Sequence, residues 1–118
     1  MRRELLLIAE MMEAGAQAHR LVAGIDLETL KDDRQRRDAL LWNFTVLGEA
    51  SAQLDIDLKS RFPDVPWEQP IRLRNRIIHG YWSVDVGILH TTALDDLPGL
   101  VEQLREVLAV VEAEPVDG

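Results

Sequence analysis

The sequence predicts an all-α protein: an up-down bundle of four main helices with one short connector helix. Three observations predict it. Apolar residues recur at helical spacing along most of the chain. No stretch alternates apolar and polar residues as a half-buried strand does. Proline and glycine are sparse and fall between the periodic stretches. The 118 residues suit a single domain, 1–118, and a 47% hydrophobic content with 29% charged residues is enough for a core. A chain this short buries roughly two thirds of its unfolded surface, so it gains from oligomerisation.

Each element carries its own signal. The first helix spans about Arg3 to Val22, with Leu5, Ile8, Met12, Ala16 and His19 on one stripe. Gly24 ends it, and Asp26 is a candidate N-cap for the next helix. The opening Met1-Arg2-Arg3-Glu4 and the run Leu5 to Ile8 begin like a signal peptide. The apolar run is too short for one, and Glu10 and Glu13 interrupt it, so it reads as helix. The second helix spans about Leu27 to Leu54. Its first half (Glu28, Lys31, Asp32, Asp33, Arg34, Arg36, Arg37, Asp38) reads as a solvated face. Its second half carries the core stripe Leu40, Phe44, Leu47, Ser51 and Leu54. Gly48 and Ala50 are small enough for close helix approach. Glu49 beside them calls for an arginine of the third helix, or for partial exposure.

Residues 55–66 form a connector with a short helix around Leu58 to Phe62, stopped by Pro63 and Pro66. The third helix opens at Trp67, tolerates Pro70 in its first turn, runs to Ile78 or His79, and ends at Gly80. The last helical stretch runs from near Val84 to about Glu112, with Asp85 favoured at its N-terminal end. Pro98-Gly99 kinks or splits it. Its stripe is Leu100, Leu104, Leu108 and Val111, and the tail from Glu114 to Gly118 frays. Trp42 and Trp67 read as core or interface packing.

A net charge of −8 excludes a protein whose whole surface grips nucleic acid. It leaves room for a local basic patch, because potentials act over a Debye length of roughly 8–10 Å. The absence of cysteine excludes a disulfide framework and a thiolate metal site, and points to a cytoplasmic setting. No apolar run reaches membrane-spanning length, so no membrane partner is expected. His19 and His90 stand apart from each other and from carboxylates at ligand spacing, so neither a metal nor a cofactor is expected.

One segment contrasts with this acidic background. Residues 71–80 hold Arg72, Arg74, Arg76 and His79 and no acid. Guanidinium forks bind phosphate bidentately, and histidine moves a proton near neutral pH. Cleaving an RNA phosphodiester needs both: proton transfer at the 2′-hydroxyl or leaving oxygen, and a cation for the charged transition state. Asn75 and His79 share a helix face, as do Arg72 and Arg76. Arg74 and His79, five residues apart, diverge by about 140° on an ideal helix. Their convergence requires a symmetric dimer, or a helix that ends just before His79.

The stretch from Val65-Pro66-Trp67 through Arg74-Asn75-Arg76-Ile77-Ile78-His79-Gly80-Tyr81-Trp82 resembles the HEPN superfamily, and most of all its HepT-like branch, also known as DUF86. The motif of that branch, Arg, four residues, His, any residue, Tyr, falls on Arg74, His79 and Tyr81. The likeness extends to Leu47-Gly48-Glu49-Ala50 and to Asp95-Asp96-Leu97-Pro98-Gly99-Leu100. Ser51 stands where the family pattern suggests a second alanine. The resemblance implies a homodimeric, metal-independent endoribonuclease acting on RNA, in some cases tRNA, as the toxin of a type VII toxin–antitoxin pair. It implies Arg74 and His79 as catalytic residues, with Asn75, Arg72 and Arg76 as supporting or RNA-binding candidates. It also implies an MntA-like nucleotidyltransferase antitoxin that silences the toxin by AMPylation of Tyr81.

Plainer readings stand beside these. His79 at a helix C-terminus is favoured there by the dipole, and Arg72 and Arg76 suit a solvated face. Trp82 suits a core or dimer interface. Two alternatives remain for the whole chain. One is a non-catalytic nucleotide- or substrate-binding helical partner of a nucleotidyltransferase. The other is a helical dimerisation unit with a merely solvated motif.

Overall fold

The computed structural model describes residues 2–115. The first helix, α1 (Arg2–Val22), stops at Gly24, whose φ of +74° places it in the left-handed region open to glycine. Its buried stripe is Ile8, Met11, Gly15, Ala18 and Val22, rotated slightly from the expected one. Leu5, Met12, Ala16 and His19 are only half-buried. Glu4 lies on the same stripe and is buried, with one carboxylate oxygen accepting the Asp55 N–H at 3.1 Å while the other meets Arg3. The opening turn is thus packed into the fold.

The expected long second helix is two helices, α2 (Leu27–Asp32) and α3 (Arg34–Gln53). Asp33 breaks them apart. Its N–H donates back to Leu30, and its carboxylate accepts the Arg36 N–H at 3.0 Å. That hydrogen bond, with the Arg36 guanidinium, holds the Asp33 carboxyl below the usual carboxylate range. Arg36 also donates to the Leu21 carbonyl at 2.8 Å, tying the break to the end of α1. Asp26 caps α2 through the Thr29 N–H, as expected.

The core stripe of α3 is as read: Leu40, Phe44, Leu47, Ser51 and the following Leu54 are buried. Ser51 in place of alanine has a physical reason. Its hydroxyl is fully buried and donates to the Trp67 carbonyl at 2.8 Å. Trp67 is core, with its indole N–H shared between the Lys59 and Phe62 carbonyls. The connector helix α4 (Ile56–Arg61) therefore starts earlier than expected and locks onto the entry of α5 (Glu68–Gly80). Trp42, by contrast, is 66% exposed and is no part of the core.

The last stretch also divides. Asp85 caps α6 (Val86–Thr91), a widened π turn covers Thr92–Asp96, and α7 (Leu97–Glu112) follows with Pro98 in its first turn. Proline has no N–H and its ring clashes with the carbonyl four residues back, so a regular helix cannot run through Pro98. The interruption falls just upstream of Pro98-Gly99, and His19 meets the Ala93 carbonyl there at 3.2 Å. Glu114 is held by Arg61 at 2.9 Å, contrary to a frayed tail at that point. The remaining tail residues, 116–118, lie outside the described residues.

Helix α1 packs between α3 and α7, and α5 packs on the far side of α3. The bundle is open between α5 and the α6–α7 junction, where a groove of about 390 Å³ remains. The α3–α5 crossing is tight at Gly48, where a Cβ would overlap the Arg74 Cβ and the Pro70 carbonyl oxygen. Gly48→Ala should lower stability by about 1–3 kcal/mol despite alanine's better helix propensity, because the clash falls on backbone. Ser51→Ala should cost about 1 kcal/mol by removing a buried hydrogen bond to the Trp67 carbonyl. Denaturant unfolding checks both, and a gain in midpoint for either variant would contradict the packing described.

Candidate functional site

The Gly48 crossing sets the position of Arg74. The stem of Arg74 lies against the bare α3 backbone. Its guanidinium pairs through Nη1 with Glu49, the next residue of α3, and donates through Nε to the Asn75 side-chain oxygen at 2.9 Å. Arg74 is 15% exposed and Glu49 52%, so Glu49 both finds its arginine and stays half in solvent. Asn75 here orients Arg74.

Helix α5 continues through Gly80 instead of ending before His79. Gly80 has an extended φ, and the chain passes from it into a tight 3₁₀ turn, Tyr81–Ser83. Arg74 and His79 thus stay on different faces of one regular helix, and a single chain does not bring them together. His79 is exposed in the last turn of α5, and it makes no hydrogen bond among the described residues. Arg72 and Arg76 are exposed on another face, where they line the open groove beside Asp96. The basic island is therefore sorted by helix geometry: one arginine sheltered on α3, two along the groove, and His79 at the tip.

Tyr81 and Trp82 lie just beyond, on the turn that Ser83 pins by donating to the Gly80 carbonyl at 2.8 Å. Both are exposed, Tyr81 by 61% and Trp82 by 78%, so Trp82 is not a core residue. Their rings meet edge to face, 5.3 Å between centroids. Opposite them, α3 contributes Arg34 and Arg37 to a hollow of about 400 Å³. Reading the charged half of the second helix as a plain solvated face misses this pair. The available signal is that Arg34, Arg37 and Leu41 share one helical stripe.

His90 meets the Ile25 carbonyl at 2.7 Å, as His19 meets that of Ala93, so both stray histidines serve the scaffold. Among the described residues, no group of three or more His, Asp or Glu side chains is arranged to hold a metal ion. No described helix is long and apolar enough to cross a membrane.

The family model described as "Ribonuclease HepT-like" matches residues 11–107, which include α5 and the turn after it. The chain belongs to the HepT-like family of the HEPN class. Among its relatives is the probable ribonuclease HepT of Thermococcus cleftensis, 35% identical over 77 residues, 63% of this chain and 70% of the relative. Two proteins of Methanocaldococcus jannaschii, each named provisionally as an RNase, are also similar. One is 30% identical over 87 residues, covering 74% of this chain and 71% of its own length. The other is 26% identical over 98 residues, covering 83% and 90%. No solved structure gives a significant match. In this HepT-like chain the motif positions Arg74, His79 and Tyr81 all fall on the C-terminal half of α5 and the turn after it.

The Glu49 carboxylate screens the one sheltered arginine of the motif. Replacing it, Glu49→Gln, should change stability by less than about 1 kcal/mol, since the pair is half-exposed. The same change should tighten low-salt binding of a non-cleavable oligoribonucleotide. Weaker binding would instead mean that Glu49 is needed to aim Arg74.

Proposed function

We propose that this chain is a metal-independent endoribonuclease, the toxin of a type VII toxin–antitoxin pair, with tRNA as the candidate RNA. One observation carries this reading: a HepT-like chain has Arg74 and His79 on the C-terminal half of α5, with an exposed Tyr81 on the turn that follows. His79 serves as the proton-transfer group at the 2′-hydroxyl or the leaving oxygen. Arg74 stabilises the charge that gathers on the phosphate oxygens. Because α5 separates the two residues by face, the working site is shared. In a homodimer, two α5 ends meet across a two-fold axis and pool Arg74 of one chain with His79 of the other. Asn75 keeps Arg74 in place, and Arg72 and Arg76 hold the RNA backbone nearby.

Tyr81 is the switch. An MntA-like nucleotidyltransferase places its phenolic oxygen on the α-phosphorus of ATP; pyrophosphate leaves and the phenolic proton passes to solvent. The exposure of Tyr81 makes it reachable. The nucleotide so attached puts a bulky anion beside His79 and the arginines, which blocks the phosphate site and neutralises it.

A second reading has its own observation. Arg74 is already paired with Glu49 in the single chain, which suits a non-catalytic nucleotide-binding partner of the nucleotidyltransferase. The two readings separate on turnover. Purified protein should cleave total RNA equally well with and without EDTA, and His79→Ala should lower the rate by a factor of about 10² or more. RNA that stays intact, or a His79→Ala variant as fast as the parent, would overturn the catalytic reading. Tyr81→Phe should cleave normally yet escape adenylylation, read as the absent mass gain of one AMP. A modified Tyr81→Phe protein would move the switch elsewhere.

A further inference from the structure

The hollow beside Tyr81 is not accounted for by the motif. Its volume, about 400 Å³, lies within the range of small-molecule sites. One wall is aromatic, Tyr81 and Trp82 from the 3₁₀ turn, with the Trp82 indole 78% exposed. The other is the N-terminal half of α3, Arg34, Arg37 and the carboxylate of Asp38, with Leu41 also lining it. The two arginines differ. Arg34 is highly exposed and shares its charge with Asp38 at 3.5 Å. Arg37 is half-buried and makes no salt bridge among the described residues, and its Nε is buried without a hydrogen-bond partner. A buried guanidinium N–H left unpaired is costly, and Arg37 is one of the residues that line the hollow. Asp33, one turn back, is engaged by Arg36 and stays in electrostatic range of Arg37, so it tempers that charge without occupying it.

A free indole facing an unpaired, partly desolvated arginine across a gap of this size suits one ligand chemistry: a planar base joined to a phosphate. We propose that this hollow is a nucleotide subsite, with the base stacked on Trp82 and the phosphate held by Arg37. It extends the reading of Tyr81 given above. Two sources can supply such a ligand there: one nucleotide of the RNA strand next to the cut, or the adenylyl group carried by Tyr81 itself. In the first case the subsite positions substrate. In the second it holds the modification down over the motif and makes the silenced state firm.

The test measures binding to the unmodified full chain of two probes: AMP, and a short 2′-O-methyl oligonucleotide that cannot be cleaved. Arg37→Gln and Trp82→Ala should each weaken binding roughly tenfold, within the range that base–aromatic stacking supplies. Arg105→Gln, midway along α7 and outside the hollow, should bind as the parent does. Trp82 is so exposed that its replacement leaves the core intact, which keeps the test valid if Arg37→Gln unfolds. Loss confined to the oligonucleotide assigns the subsite to RNA; loss confined to AMP assigns it to the adenylyl group. Parent-like binding of both probes by Trp82→Ala, or no binding of either probe by the parent, overturns the proposal. RNA cleavage is scored in parallel. A parent that cuts RNA while the variants bind normally sinks the subsite alone. A parent that binds AMP through Arg37 and Trp82 but cuts nothing sinks the nuclease reading alone.

Discussion

Everything at the motif depends on how closely α5 can approach α3, and that approach depends on one missing side chain. At Gly48 the α3 backbone receives the Pro70 carbonyl and the stem of Arg74 directly. A helix pair with an ordinary residue there would have to part, and Arg74 would lose its wall and its reach to Glu49 together. Ser51, one turn further on, fastens the entrance of the same helix by donating its hydroxyl proton to the Trp67 carbonyl. Proline at position 70 fits this arrangement, since a first-turn residue has no use for an N–H and its carbonyl is the group that packs on the glycine. The site is thus aimed by backbone contact and needs little from long side chains.

The second constraint is angular. A regular helix fixes the directions of Arg74 and His79, and neither fraying nor a helix end intervenes before Gly80. Electrostatics reinforces the separation. The sheltered arginine is screened by Glu49, whereas His79 and the groove arginines face water. A lone chain therefore presents these side chains in three directions, and a molecule that engages more than one of them must be long, or must meet more than one copy.

Much of this is legible in the sequence, and the reasons are specific. The α3 stripe, Leu40 through Leu54, is read correctly because buried leucines repeat at helical spacing regardless of context. The pairing of Glu49 with an arginine follows from the cost of an unpartnered carboxylate in an apolar half-helix. The break at Asp33 is not legible, because a capping aspartate in a charged run looks like any other solvated acid until its backbone turns. The π turn lies a few residues before the expected kink at Pro98-Gly99, since proline dictates that a helix must yield but not where. A core place for Trp42 or Trp82 rests on residue type alone, and type says nothing about which side of a helix faces outward. The arginine pair on α3 stays hidden for the same reason: it becomes a wall only when the Tyr81 turn is folded across from it.

The edge-to-face contact of Tyr81 with Trp82 has an optical consequence. The chain contains one tyrosine and it is the one in the motif. Its ring lies 5.3 Å from the Trp82 indole, close enough for its excitation to pass to tryptophan, so an event at the turn is read in the emission of the exposed indole. The protein therefore carries an intrinsic fluorophore pair at its proposed point of control, readable without any label in the presence of ligand, partner or a second copy of itself.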